Sequence, residues 1–421
     1  MTDSLIVMLP IILFPTYLSR AFKDYREESL LITGFCVLTL ISPLMAQLFF
    51  DQSYLTGILL VRSNFLWLSF FAYVLLIRNM AHVDKLLRFL TILVGIYICI
   101  LILTYYIPSL GIIHYPKKFY NAESGMMRFG DYRMFFPYGN IAIMLYCVVL
   151  ARILNTRQEG KIRRVFHYFF VIIVIFSVIS TYTRAMIFSF FVATAFAFFT
   201  GERRYFKAAA VALLVLVISA EGFMAAGGDS ILNKTKVGKM VSRYNELGSE
   251  TGRSSQADMY IKQFLRSPLT GVGNLATQVD RPGEFDGTGA AATYRKYGFF
   301  NGSDWGYLKI AGESGVLGLA WVVWFYLYFF SKGRQIIKKA RVLGNAPNAV
   351  AISRGLLSFM VYLMTTGITM AHFVIVRNIT ILPLSLVLMG VMWKTLNNRA
   401  VTSNEVANHP LLQEQTDSSN A

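Results

Sequence analysis

The sequence predicts an all-α, polytopic integral membrane protein, and three observations point there. Of 421 residues 55% are apolar and 15% charged, far more hydrophobic surface than an ordinary soluble core could bury. Apolar runs of about twenty residues, each able to cross about 30 Å of hydrocarbon as a helix, recur from end to end. Lysine and arginine gather behind every second run, as topogenic charges do.

The runs fall at 5–18, 30–50, 57–77, 87–106, 136–150, 165–180, 186–199, 206–224, 307–330, 355–371 and 379–393, which gives about eleven spans, within a range of ten to twelve. Residues 1–4 contain no basic residue, so the first run reads as a retained helix and not a cleaved signal peptide, kinked at Pro10 and Pro15. Arg20, Lys23 and Arg26 follow the first span, and Arg78, Lys85 and Arg88 the third. Arg152, Arg157, Lys161, Arg163 and Arg164 follow the fifth, Arg203, Arg204 and Lys207 the seventh. Lys332, Arg334, Lys338, Lys339 and Arg341 follow the ninth, Lys394 and Arg399 the last, whereas the short connection 51–55 has no Lys or Arg. The positive-inside rule therefore predicts an exterior N-terminus and a cytoplasmic C-terminus. Much of the net charge of +17 is topogenic, and no nucleic-acid partner is implied.

The resulting organisation is N-terminal transmembrane helices over 1–106, a first exterior loop at 107–135, and central transmembrane helices over 136–224. A long exterior loop covers 225–304, C-terminal transmembrane helices 305–393, and a polar, disordered cytoplasmic tail 394–421. Cys36, Cys99 and Cys147 all fall inside expected spans, so neither a disulfide framework nor a cysteine metal site is indicated. No metal or cofactor is expected. The long loop carries local structure signals. Ser255 to Asp258 fits a capping box, with Met259, Phe264 and Leu265 as the apolar face of the helix it opens. Pro268 closes that helix, and Gly271 and Gly273 supply a tight turn. The chain re-enters the membrane near Asp304.

Three stretches in this region share an order and a side of the membrane. They are Thr181-Tyr182-Thr183-Arg184-Ala185; Gly252-Arg253, a short helix, then Ser267-Pro268-Leu269-Thr270-Gly271-Val272-Gly273; and Asn301-Gly302-Ser303-Asp304 leading into Gly312-Glu313-Ser314-Gly315 and Gly318. A weaker fourth stretch runs from Met127-Arg128 to Gly139-Asn140. Together they resemble the O-antigen ligase and polymerase family with the Wzy-C signature, over about a third of the chain. The resemblance implies a bundle that is GT-C-like in the broad sense, with a partly helical exterior loop. It also implies transfer of a glycan from an undecaprenyl-pyrophosphate donor to a glycan or lipid-linked acceptor at the inner membrane of a bacterial cell. Membrane lipids, a flippase and a chain-length regulator are the partners that go with that reaction.

In such a reaction a sugar–pyrophosphate bond breaks, and the leaving group needs cations. Arginine's fixed fork matches phosphate oxygens bidentately. Arg184, at a membrane boundary without a cytoplasmic topogenic role, and Arg253, beside a helix N-terminus whose free N–H groups favour anions, are the catalytic candidates. The resemblance implies that both contact the lipid pyrophosphate, which would make a divalent metal unnecessary. Where ligases of the family carry histidine as the base, this chain has Asp304. An ionised carboxylate within reach of the acceptor hydroxyl can do the same work. That departure tilts the reading from ligase towards polymerase. His114 and His372 are rival bases, and Arg128, Arg266 and Arg62 are further substrate-binding candidates.

Bland readings stand beside these. Arg184 can snorkel to headgroups, Arg253 can pair with Glu250 or Asp258, and Asp304 can cap the next helix. Glu313 is expected to pair with Lys309 across one helical turn, and Gly312, Gly315 and Gly318 to let helices approach closely. Other acceptors, including protein, fit the same chemistry. A transporter or flippase is the competing class, but it would place Gly/Pro-broken helices near the midplane. Here Gly, Arg and Asp concentrate in the exterior loops, which favours an enzyme.

Overall fold

The computed structural model describes residues 15–107, 127–128, 131–132, 134, 139–155, 160–181, 183–201, 211, 253–274, 306–344, 346–369 and 380–408. The expected spans at 5–18 and 206–224 fall almost entirely outside the described residues, as does the end of the tail.

Helix α1, Pro15–Asp24, leads into α2, Arg26–Phe50. The 25 residues of α2 measure about 37 Å, enough to span hydrocarbon despite Pro43 within it. A second span is broken: α3, Tyr54–Val61, passes through a 3₁₀ segment, Arg62–Leu68, into α4, Ser69–Leu76. Asn79 caps α5, Met80–Tyr106, by accepting from the His82 amide at 3.0 Å. A hairpin of two short strands, β1 (Met127–Arg128) and β2 (Asp131–Tyr132), precedes α6, Gly139–Asn155. Then come α7, Lys161–Ser180, and α8, Arg184–Thr200. Helix α9, Arg253–Arg266, is followed by the long α10, Gly306–Val342, then α11, Pro347–Thr366, and α12, Ile381–Asn408. Among the described residues six helices are long and apolar enough to cross a membrane, and two shorter apolar helices correspond to α6 and α8. Apart from the hairpin, the described residues are all-helical, consistent with a polytopic membrane protein.

Helix α11 is the centre of the bundle and packs on α6, α8 and α10. Gly355 makes this possible, because a Cβ there would lie 2.4 Å from the Val148 backbone of α6. A second centre is aromatic: Trp67 stands edge-on to Trp321 and Phe325, with Phe35 against both indoles. The Trp321 indole N–H donates to the Leu31 carbonyl at 2.9 Å, so that buried donor is satisfied.

Ion pairs sort the helix termini into two ends. Lys332 binds Glu27 at 2.8 Å, Lys394 binds Asp24 at 2.5 Å, and Lys339 binds Asn397. Arg152 binds Asp84 at 2.5 Å, Asn348 reaches the other Asp84 oxygen, and Arg354 binds Asn155. The connections after the first, third, fifth, ninth and last expected spans thus meet at one end, as the alternation of basic residues predicts. The buried Arg354, odd within an apolar run, is explained by its bond to Asn155. At the opposite end lie Phe50 of α2, the start of α10, and the Ser180–Arg184 corner, where the Met134 amide donates to the Ser180 carbonyl.

Candidate functional site

At that opposite end the polypeptide does something a helix rarely allows. In α10, Gly315 has φ 61° and ψ −155°, a region open essentially to glycine, and the helix breaks there. In an unbroken helix the amides of Val316 and Leu317 would donate to the carbonyls of Gly312 and Glu313. Instead they donate to Pro268 and Leu269 at 2.8 and 3.1 Å, while the amides of Val272 and Gly273 donate to Gly312 and Glu313 at 2.9 and 3.1 Å. Two intrahelical bonds have been opened, and the turn after α9 is stitched into the gap with four. The exchange pairs both displaced amides and both vacated carbonyls, as irregular backbone inside a membrane requires.

The glycines of both motifs are what this geometry requires. Gly271 (φ 69°) and Gly273 (φ 85°) occupy the left-handed side of the map. A Cβ on Gly271 would lie 2.3 Å from the Glu313 backbone, and one on Gly315 2.5 Å from that of Leu269. Gly273 is equally tight against α2, 2.2 Å from the Ser42 carbonyl by the same measure. The turn is fixed further by the Asn274 amide donating to Ser42 Oγ at 2.8 Å and by Gln52 donating to the Asn274 carbonyl at 3.1 Å.

Helix α9 begins at Arg253, two residues before the expected cap, so Ser255 lies within the first turn instead of capping it. Its buried face consists of Tyr260 and Gln263, which rest on Gly312. Leu265, expected on the helix's apolar face, is exposed. The Gln263 Oε1 is buried without a hydrogen-bond partner among the described residues.

Beneath the stitched turn is a cavity of about 40 Å³, room for a few waters, between α2, the 3₁₀ segment and α10. Thr39, Ser42, Asn64, Asn274, Glu313 and Ser314 give it a polar lining above the apolar floor of Phe35 and Trp321. Glu313 meets Lys309 at 3.6 Å across one turn of α10, as its spacing predicts. The lining residues Asn64, Ser42 and Asn274 carried no signal in sequence beyond being polar in or beside apolar runs.

The sequence-predicted residues fall as follows. Arg184 and Arg253 are the first residues of α8 and α9; α8 starts at the end of the bundle where α10 starts, and α9 packs on α10 through Tyr260 and Gln263, about two to three turns after Arg253. Asp304 lies two residues before α10 and, with His114 and His372, outside the described residues. Arg128 lies on β1. Arg266 ends α9, with its guanidinium over the rings of Phe49 and Phe50 at 5.6 and 5.0 Å. Arg62 is exposed at the start of the 3₁₀ segment, and it is Asn64, two residues on, that lines the cavity.

Residues 169–323 match the family model described as O-antigen ligase, Wzy_C, a stretch running from α7 through the stitched turn into α10. The match covers less than half of the chain and contains all three motif stretches. It bears out the resemblance to the O-antigen ligase and polymerase family and supports a role in joining or extending glycans at a membrane. No curated protein matches the chain.

Proposed function

We propose that the protein polymerises polyprenyl-pyrophosphate-linked oligosaccharide repeat units at the outer face of the inner membrane, in a GT-C-like bundle of about eleven spans. The observation that carries this reading is the four-bond stitch, because it ties the Pro268–Gly273 turn to the Gly312–Gly318 helix and so makes two of the family's motifs one structural unit. Arg184 and Arg253 hold the donor's pyrophosphate oxygens, which supports cleavage without a metal. The acceptor hydroxyl oxygen attacks the anomeric carbon while its proton passes to the Asp304 carboxylate. The bond from that carbon to the phosphate oxygen breaks, its electron pair leaves with the pyrophosphate, and the polyprenyl pyrophosphate is released.

The matched family is described as a ligase, which favours a second reading: block transfer of the finished glycan to another lipid, or in a variant of the same chemistry to protein. A transfer assay separates them. Purified protein in vesicles, given a defined lipid-linked repeat unit, is expected to release polyprenyl pyrophosphate and build a stepwise ladder of glycan lengths. A single shift of an added acceptor, without a ladder, would show a ligase. Translocation of the donor with no bond formed would show a transporter.

A further inference from the structure

We propose that α9 and the turn after it form a re-entrant element seated in the bilayer interface, with Ile261, Leu265 and Leu269 among the acyl chains and Lys262 and Arg266 at the level of the lipid phosphates.

The depth of this element follows from its bonds to α2. Arg266 stacks over Phe49 and Phe50, the last two residues of that helix. The turn then goes inward, since Asn274 is bonded to Ser42 and Gly273 abuts Ser42 and Ala46. Those residues lie about 12 and 6 Å below the end of α2, at 1.5 Å per residue. The turn 268–274 therefore sits below the mouth of the span and not in a loop above it. Its backbone is fit for that depth, because the exchange with α10 pairs it.

The side chains match the placement. Leu265 is 67% exposed and Leu269 62%, and Ile261 one turn before Leu265 is exposed too. They continue into Val316 and Leu317 of α10, whose backbone is bonded to Pro268 and Leu269, and the element's contacts along α2 run from Phe50 to Ser42, the stretch that carries Leu44 and Leu48. All four of those are exposed apolar residues on membrane-spanning helices, the surface that lipid covers. Lys262 and Arg266 repeat at i and i+4 beside the Ile261–Leu265 stripe, so the outward face of α9 is half apolar and half cationic. That is the composition of a helix lying in an interface of phosphate headgroups. The inner face, Tyr260 and Gln263, is already occupied by Gly312, which fixes the helix's rotation. The proposal concerns membrane seating alone and does not depend on the reaction.

Nitroxide accessibility tests it. In the full chain with Cys36, Cys99 and Cys147 replaced by alanine, Leu265→Cys, Leu269→Cys and, as an aqueous control, Arg341→Cys are spin-labelled one at a time. Each is reconstituted into phosphatidylethanolamine and phosphatidylglycerol vesicles and exposed to oxygen and to a water-soluble nickel chelate. The oxygen-to-nickel ratio at Leu265 and Leu269 is expected to exceed that at Arg341 several-fold. A ratio equal to the control's would put the element in water. Low collision with both reagents would mean that protein covers it. Either result overturns the proposal. Should the alanine background fail to fold, a benzophenone side chain placed at Leu265 in the native-cysteine chain gives the same answer. Phospholipid adducts support lipid seating, and cross-links to protein only would overturn it.

Discussion

The amide of Val272 donates to the carbonyl of Gly312 at 2.9 Å, taking the place that the Val316 amide would hold in an unbroken helix. Forty residues apart in sequence, the two segments share one hydrogen-bond ladder. Their glycines should therefore fail together.

Gly315→Ala and Gly271→Ala are each expected to cost about 1–3 kcal/mol for the backbone conformation alone, and more for the clashes their Cβ atoms would meet. Gly344→Ala is the control. Its φ is also positive, at 68°, but nothing lies within 4 Å of the added atom, so only about 1–2 kcal/mol is at stake. Thermal unfolding of the purified variants in detergent checks this. A Gly315→Ala midpoint at or above that of Gly344→Ala would mean that the stitch does not hold the fold.

How much of this could be read in the sequence depended on the kind of signal. Six of the expected spans were legible because length and apolarity suffice to place them, and the two ends of the bundle because basic residues mark one of them. The Glu313–Lys309 pair was legible from helical spacing. The stitch was not, since exchanging hydrogen bonds between distant segments leaves only glycines behind, and Gly312, Gly315 and Gly318 read equally well as packing residues. What the apolar face of α9 meets was illegible for a different reason. An apolar stripe on a helix does not say whether it faces protein or lipid, and in a membrane both are apolar. Similarly, a basic residue in an apolar run drew attention to Arg62, whereas the cavity is lined by the less conspicuous Asn64.

Glu313 and Lys309 share a nearly water-free position, with side-chain exposures of 12% and 14%. Glu313→Gln is expected to destabilise by about 1–3 kcal/mol, because it removes the carboxylate that faces the Lys309 ammonium at 3.6 Å in a position with little water to replace it. Lys309→Met should restore most of that loss when combined with Glu313→Gln. A double-mutant cycle on unfolding midpoints measures the coupling. Strict additivity would mean that the pair contributes nothing and that Glu313 is held by the cavity's other polar groups.

The two ends of the bundle should respond oppositely to a membrane-impermeant maleimide. In intact cells, Ser53→Cys in the alanine background is expected to label at once, because residues 51–55 follow a span whose start is tied to the cationic end. Arg341→Cys should label only after permeabilisation. Labelling of Arg341→Cys first would invert the orientation and move the proposed chemistry to the cytoplasmic face.

The sharpest expectation concerns Arg184, Arg253 and Asp304 acting as one site. Arg184 opens α8 at the end of the bundle where α10 begins, Arg253 opens α9, which packs on α10, and Asp304 lies two residues before α10. If the arginines grip pyrophosphate bidentately, lysine keeps the charge but loses the fork, so neither Arg184→Lys nor Arg253→Lys should restore activity. Each is expected to lower the transfer rate by about 10²–10³, the scale of a lost oxyanion-hole donor. Asp304→Asn keeps the shape and removes the base, so donor binding should survive while transfer falls. Joined to Arg253→Ala, it should cost less than the product of the single effects, as residues of one unit do. The measurement is single-turnover release of polyprenyl pyrophosphate by folded variants, with donor binding read separately. Full turnover by both lysine variants would reduce the arginines to generic charges, and an active Asp304→Asn would move the base to His114 or His372.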